Sequence, residues 1–247
     1  MILDSELLIE HNTEVTEVDG FGLGRIHSFD PRDKRHMMTP PPPQQIDIRK
    51  RHWKTGAILN QGNQPQCVAY TGEQLLASSP VRNKHYKTPQ ELYDECQAND
   101  EWEGNSYAGT SGRALFKVLR GAGYIESWEN AFDLDTVVRQ VLTTAPVAMG
   151  TDWFASMCYP FDYRGEDFIK RTVESGNRGG HEWLLTGLNL DKSCHCGDKG
   201  AARMTNSWGK EWGDWGKVWI CLKDLSLLIS DGGDAITSKE LKFTAAK

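Results

Sequence analysis

Two periods of apolar and polar positions divide this chain. Between Cys67 and Ser79, Val68, Ala69, Leu75 and Leu76 recur at the spacing of one helix face, and Pro80 stops the run. A proline suited to a first turn predicts a second helix over Pro89–Cys96. A third is predicted from Thr110 or Ser111 to Leu119, with a polar cap ahead of Ala114, Leu115, Val118 and Leu119, and Gly121 behind it. The second half changes character. Residues 145–150, 182–188, 202–206 and 217–222 read as strands. Helices followed by strands predict an α+β fold of two lobes, a helical left lobe over about 46–130 and a β-rich right lobe over about 131–247. A functional site is expected in the cleft between them.

The first 45 residues differ in kind. Gly20, Gly22 and Gly24 fall close together, Asp30-Pro31-Arg32-Asp33 follows, and Pro40 to Pro43 form an unbroken proline run. That run favours an extended polyproline segment, so residues 1–45 are expected to be a surface strap or linker, with the compact domain beginning near Ile46. No internal repeat is present.

Composition narrows the function classes. Lys plus Arg number 28 against 34 Asp plus Glu, a net charge of −6, and the basic residues are scattered apart from Arg49-Lys50-Arg51. Nucleic acid and membrane surfaces are therefore not expected partners, since both need concentrated positive charge. No stretch approaches the roughly 18 apolar residues of a membrane span, and the first ten residues carry acids where an export signal would carry Lys or Arg. The cysteines are Cys67, Cys96, Cys158, Cys194, Cys196 and Cys221. If one stays a free thiol the other five cannot all pair, so a reducing, cytoplasmic or assembly-associated location is expected.

The candidate chemistry centres on Cys67, which stands where the helical pattern begins. A thiol attacks well only as thiolate, and a helix N-terminus with a neighbouring imidazolium lowers its pKa. His181 follows Gly179-Gly180 and opens a strand-like run. Asn206 ends another and can hold one ring nitrogen of His181, aiming the other at sulfur. Gln61, on a loop with Gly62 and Pro65, is the candidate oxyanion donor together with the Cys67 backbone N–H. Trp208 can shield the histidine, Trp212 can border the leaving-group side, and Gly109, Ser111 and Gly180 are candidate substrate-binding positions, although a helix start explains Gly109 and Ser111 equally well. Cys194-His195-Cys196 invites a metal, but tetrahedral zinc wants four ligands and no second pair stands nearby in sequence. No metal or cofactor is expected.

These residues bring a family into view. Asn60-Gln61-Gly62, Cys67-Val68-Ala69-Tyr70, Gly180-His181, Asn206-Ser207-Trp208-Gly209, Trp212-Gly213 and Gly216 resemble the papain-like (C1) cysteine peptidases in order and spacing, over about residues 46–222. Asp30-Pro31-Arg32-Asp33 and Ile46-Asp47-Ile48-Arg49 look like the opening segments of bacterial and phage-type members. The resemblance implies a two-lobe fold and peptide or protein substrates bound across the cleft. It also implies hydrolysis through Cys67, His181 and Asn206 with Gln61 in the oxyanion hole. The chain departs from the family at Gln64-Pro65-Gln66-Cys67-Val68, where the usual structural cysteine before the nucleophile and the tryptophan after it are absent. Cys96 therefore lacks its usual disulfide partner. Residues 1–45 lack the long helical inhibitory propeptide of secreted members, but can occupy the cleft and block it. Gly179 and Gly180 imply an uncrowded pocket tolerant of a bulky apolar or aromatic side chain. Acyl transfer or cell-wall peptide cleavage by the same triad, and a scaffold serving as a virion or assembly module through residues 1–45, are the rival expectations.

Overall fold

The computed structural model describes residues 17–28, 30–80, 86–104 and 106–239. The elements run β1 (Glu17–Val18), β2 (Phe21–Gly22), β3 (Lys50–His52), α1 (Cys67–Ala77), α2 (Pro89–Gln97), α3 (Gly112–Gly121), β4 (Ser127–Ala131), α4 (Leu134–Thr143) and β5 (Val147–Phe154). They continue with β6 (Phe161–Asp162), β7 (Asp167–Ile169), β8 (Asn177–Ser193), β9 (Lys199–Thr205), β10 (Lys217–Cys221), α5 (Leu222–Ser230) and β11 (Asp234–Lys239). The predicted helices and strands are present, most with ends moved by a few residues. Their caps are those the sequence offers. The Thr88 side chain accepts from Glu91 N–H at α2, and Ser111 from Ala114 N–H at α3.

One sheet, in the order β4-β11-β5-β8-β9-β10-β7-β6 with β3 added against β8, forms the wall between two hydrophobic clusters. Alternation along its strands divides the labour. On β8, Leu184 packs with α1–α3, while Trp183 and Leu185 face the other way into the right-lobe core; Ala148 and its neighbours Val147 and Met149 divide likewise on β5. His181 shares the parity of Trp183, and Glu182 that of Leu184. Two adjacent residues thus enter opposite sides of the cleft region.

Nine elements lay outside the sequence prediction: the short strands β1, β2, β3, β6 and β7, and the longer β4, β11, α4 and α5. β4 and β11 are polar strands held by pairing, with β11 bonded between β4 and β5. β4 crosses the lobe boundary expected near 130 and joins the same sheet as the right-lobe strands. α4 carries a readable start, Asp133 accepting from Thr136 N–H, and α5 follows β10 without a break.

Residues 17–38 are not a surface strap. Val18, Leu23, Arg25 and Met38 are buried. Arg113 of α3 forms ion pairs with Asp30 and Asp33, and the Met38 N–H donates to the Asn130 carbonyl at 2.8 Å. Apolar anchors and partly buried ion pairs fix the segment where proline content alone had suggested a surface strap or linker. The proline run lies against the surface, with the Pro40 and Pro41 carbonyls accepting from Arg139. Among the described residues no helix is long and apolar enough to cross a membrane.

Candidate active site

Cys67 is the first residue of α1, and no side chain caps that helix end. Its unpaired N–H groups are therefore available to stabilise negative charge. The Cys67 sulfur accepts the Glu182 backbone N–H at 3.3 Å. From the facing strand, His181 Nε2 lies 2.8 Å from Asn206 Oδ1. The same oxygen accepts the Ser207 N–H at 2.8 Å. That second contact fixes the amide orientation, so Nε2 is the ring nitrogen carrying hydrogen and Nδ1 keeps its lone pair. Nδ1 is buried without a partner. Asn206 is held from the opposite lobe too, because Gln74 of α1 donates to its carbonyl at 2.9 Å. Trp153 and Trp208 lie with ring centroids 4.6 and 4.8 Å from that of His181.

Gln61 is locked to the Asn206 loop. Its N–H donates to the Ser207 carbonyl at 2.8 Å, and its Oε1 accepts the Ser207 hydroxyl at 2.5 Å. This leaves Nε2 as the free end of the amide. It points at carbonyl oxygens of Gln64 (2.7 Å), Gly22 (3.1 Å) and Leu23 (3.4 Å). Two of those acceptors belong to the N-terminal segment, which runs through the cleft.

That segment is bound by its main chain, as an added strand. The Gly24 and Arg25 N–H groups both donate to the Gly180 carbonyl, at 3.2 and 3.0 Å. On the opposite wall Thr110 N–H donates to Gly24 O at 2.9 Å, and Ile26 N–H to Thr110 O at 2.8 Å. Phe21 stacks on Trp208 at 4.5 Å, and Trp208 Nε1 donates to Gly22 O at 2.9 Å. Glycine is required here. A β-carbon on Gly24, whose φ is +117°, would stand 2.2 Å from the Pro65 carbonyl oxygen, and one on Gly180 would stand 2.2 Å from Arg25 O.

Solved structures resemble this architecture. Xylellain, a cysteine protease from Xylella fastidiosa, matches with a TM-score of 0.67 at 16% identity, over 98% of this chain and 100% of that one. The fold is papain-like. Digestive procathepsin L 3 of the Tenebrio molitor larval midgut matches with a TM-score of 0.58 at 14% identity, over 83% of this chain and 74% of that one. The bromelain protease from Ananas comosus, solved with the E64 inhibitor, matches with a TM-score of 0.56 at 13% identity, over 76% and 94%. No family model matches the sequence, and no curated protein matches it.

Within the papain-like fold, Gln61, Cys67, His181 and Asn206 stand around one end of α1, and each is buried. Gly180 and Gly109 face the N-terminal segment; a β-carbon on Gly109 would lie 2.4 Å from Gly24 O. Ser111 does not, since its hydroxyl caps α3. The main-chain groups beside it belong to Thr110, which the sequence reading passed over. Trp208 and Trp212 line a cavity of about 430 Å³ with Phe21, Tyr159 and Glu211.

The pocket beside Gly180 differs from the apolar one expected. Arg25 fills it, its guanidinium donating to Asp234 Oδ2 at 2.6 Å, and Gly150 and Gly180 leave the room. The buried Glu182 carboxyl has no hydrogen-bond partner, and burial, with Asp234 nearby, raises its pKa to about 8. Burial also lowers His181 to about 4 and pushes the Cys67 thiol up. Covered by the segment, the pair is held as neutral thiol and neutral imidazole.

Proposed function

We propose that this chain hydrolyses peptide bonds by thiol chemistry and is held shut by residues 21–26. In the open state Cys67 passes its proton to His181 Nδ1, and the thiolate attacks the carbonyl carbon of the substrate. Gln61 Nε2 and the Cys67 backbone N–H receive the oxyanion. His181 then protonates the departing amine nitrogen, leaving an acyl-enzyme. A water molecule gives a proton to His181 and attacks the thioester, releasing the acid and the thiol. Asn206 keeps the imidazole oriented throughout.

The observation that carries this reading is the path of the N-terminal segment. It places Gly22 and Leu23 carbonyls on the Gln61 amide and pairs its main chain with Thr110 and Gly180, the contacts a bound peptide would make. That cysteine proteases share the fold adds support. Arg25 further suggests the substrate: a peptide carrying Arg or Lys where the side chain enters the pocket of Glu182 and Asp234. Gly24→Val clashes with Pro65 and should free the cleft, raising cleavage of a basic peptide substrate, whereas Cys67→Ala in the same background should abolish it. Cleavage that survives Cys67→Ala would refute the assignment, and equal rates for Gly24→Val and wild type would refute the blockade.

The closed cleft also fits a scaffold that never turns over. Covalent labelling of Cys67 by an epoxysuccinyl inhibitor in Gly24→Val favours the enzyme. A site that stays unlabelled favours the scaffold.

A further inference from the structure

The Cys194-His195-Cys196 turn joins β8 to β9, and by spacing alone it offers two thiols with no second pair. The fold supplies what the spacing lacks. Cys221 ends β10, which pairs with β9 so that Cys221 stands opposite Ala201. The sulfur atoms of Cys194, Cys196 and Cys221 lie within 4.8 Å of one another. A ring nitrogen of His195, the Cys221 sulfur and an Asp224 carboxylate oxygen form a second such group within 4.8 Å; the two groups share only Cys221, so to serve the three-sulfur site the imidazole must swing toward Cys194 and Cys196. His195 Nε2 is buried and has no hydrogen-bond partner, and Asp224 Oδ2 stands 3.9 Å from it. Phe161, Phe168 and Tyr163 present edge-on contacts to the imidazole, walling the group with aromatic surface.

A disulfide would use two of these sulfurs and strand the third. Three sulfurs gathered within 4.8 Å need only a small closure to share one ion, because Zn–S bonds of about 2.3 Å in a tetrahedron place the sulfurs about 3.8 Å apart. Thiolate and imidazole donors select a soft or borderline cation over magnesium or calcium. Three thiolates with one imidazole make a closed structural zinc set, whose ion acts by tying chain segments together.

We propose that Cys194, Cys196, Cys221 and His195 bind one zinc ion that ties the β8–β9 turn to the β10–α5 junction, with Asp224 beside the imidazole. On binding, the three thiols give their protons to water, so affinity falls with acid. None of these residues belongs to the proposed catalytic group, and the ion is structural.

The test uses the full-length chain purified with reductant, stripped with chelator and titrated with Zn²⁺ or Co²⁺. The expected result is one ion per chain, with an intense thiolate-to-cobalt charge-transfer band. Adding Zn²⁺ should raise the melting temperature of the stripped protein by several degrees. Cys194→Ser, Cys196→Ser and Cys221→Ser should each weaken binding by at least about tenfold, and His195→Ala by about 10–100-fold. Cys96→Ser and Cys158→Ser should bind as wild type does. If the serine variants fail to fold, the wild-type titration and melting shift still decide. A stripped, reduced wild type that takes up neither ion overturns the proposal. So does a thiol titration of the unfolded, never-reduced protein that finds a disulfide among these three cysteines. Undiminished binding in His195→Ala overturns the fourth ligand.

Discussion

Cys67 and the group of Cys194, Cys196 and Cys221 are free thiols, buried except for the half-buried Cys196, yet their surroundings ask different things of sulfur. Cys67 is a lone sulfur at an uncapped helix start, with a backbone N–H donating to it and an imidazole on the neighbouring strand. In the proposed open state, negative charge there would be stabilised by dipoles and by a base that can take the proton. The other three face one another inside an aromatic wall, where a thiolate gains most from a shared cation. Cys96 belongs to neither class, being packed among apolar side chains of the left lobe. Burial by itself says little about a cysteine. The donors around it decide whether it attacks, ligates or merely fills space.

Substitutions can break this comparison at either site. Cys67→Ala should lower peptide hydrolysis at least about 10⁴-fold while leaving zinc uptake intact. Loss of both would show that the two thiol environments are not independent. Gln61→Ala should reduce kcat by roughly 10²–10³-fold, measured in the Gly24→Val background so that closure does not mask the change. A smaller effect is expected at the pocket. Asp234→Asn should cost roughly 10–100-fold in kcat/KM for a substrate with Arg in that position and little for one with Gln, because the acceptor of the two guanidinium hydrogen bonds loses its charge.

The smallest effect is on stability against pH, where the two groups of the covered site oppose each other. His181 is lowered to about 4 from 6.5, so its contribution is complete above 6.5 and is lost as pH falls toward 4. Glu182 is raised to about 8 from 4.5, so its contribution is complete below 4.5 and is lost as pH rises toward 8. Between pH 6.5 and 8 Glu182 acts alone, and stability should decline by up to about 1.4 kcal/mol per pH unit. Urea unfolding across that range should show the decline in wild type and its absence in Glu182→Gln. A decline of equal size in both would mean that Glu182 is not the responsible group.

Much of the fold was readable because its signals are local. The apolar face of α1 and the proline at the start of α2 need only a few consecutive residues, as do the serine cap of α3 and the strand-like runs. β4 and β11 were not readable, since polar strands are stabilised by neighbours distant in sequence. Gly22 and Gly24 were visible as glycines. Their necessity was not, because it comes from carbonyl oxygens of Gln64 and Pro65 some 40 residues later in the chain. The pocket beside Gly180 was misjudged for the same reason. Two glycines predict room, but what fills the room depends on Glu182 and Asp234, brought there from β8 and β11.

By itself the sequence determined the α+β two-lobe architecture and the places of Cys67, His181 and Asn206 on their elements, because helix starts and strand ends are written in short stretches. Tertiary structure alone decided that residues 21–26 run through the cleft, that Arg25 sits beside Glu182 and Asp234, and that Cys221 joins Cys194 and Cys196. Each of these is a contact between segments far apart in the chain. Such contacts exist only once strand register and lobe closure have set the distances.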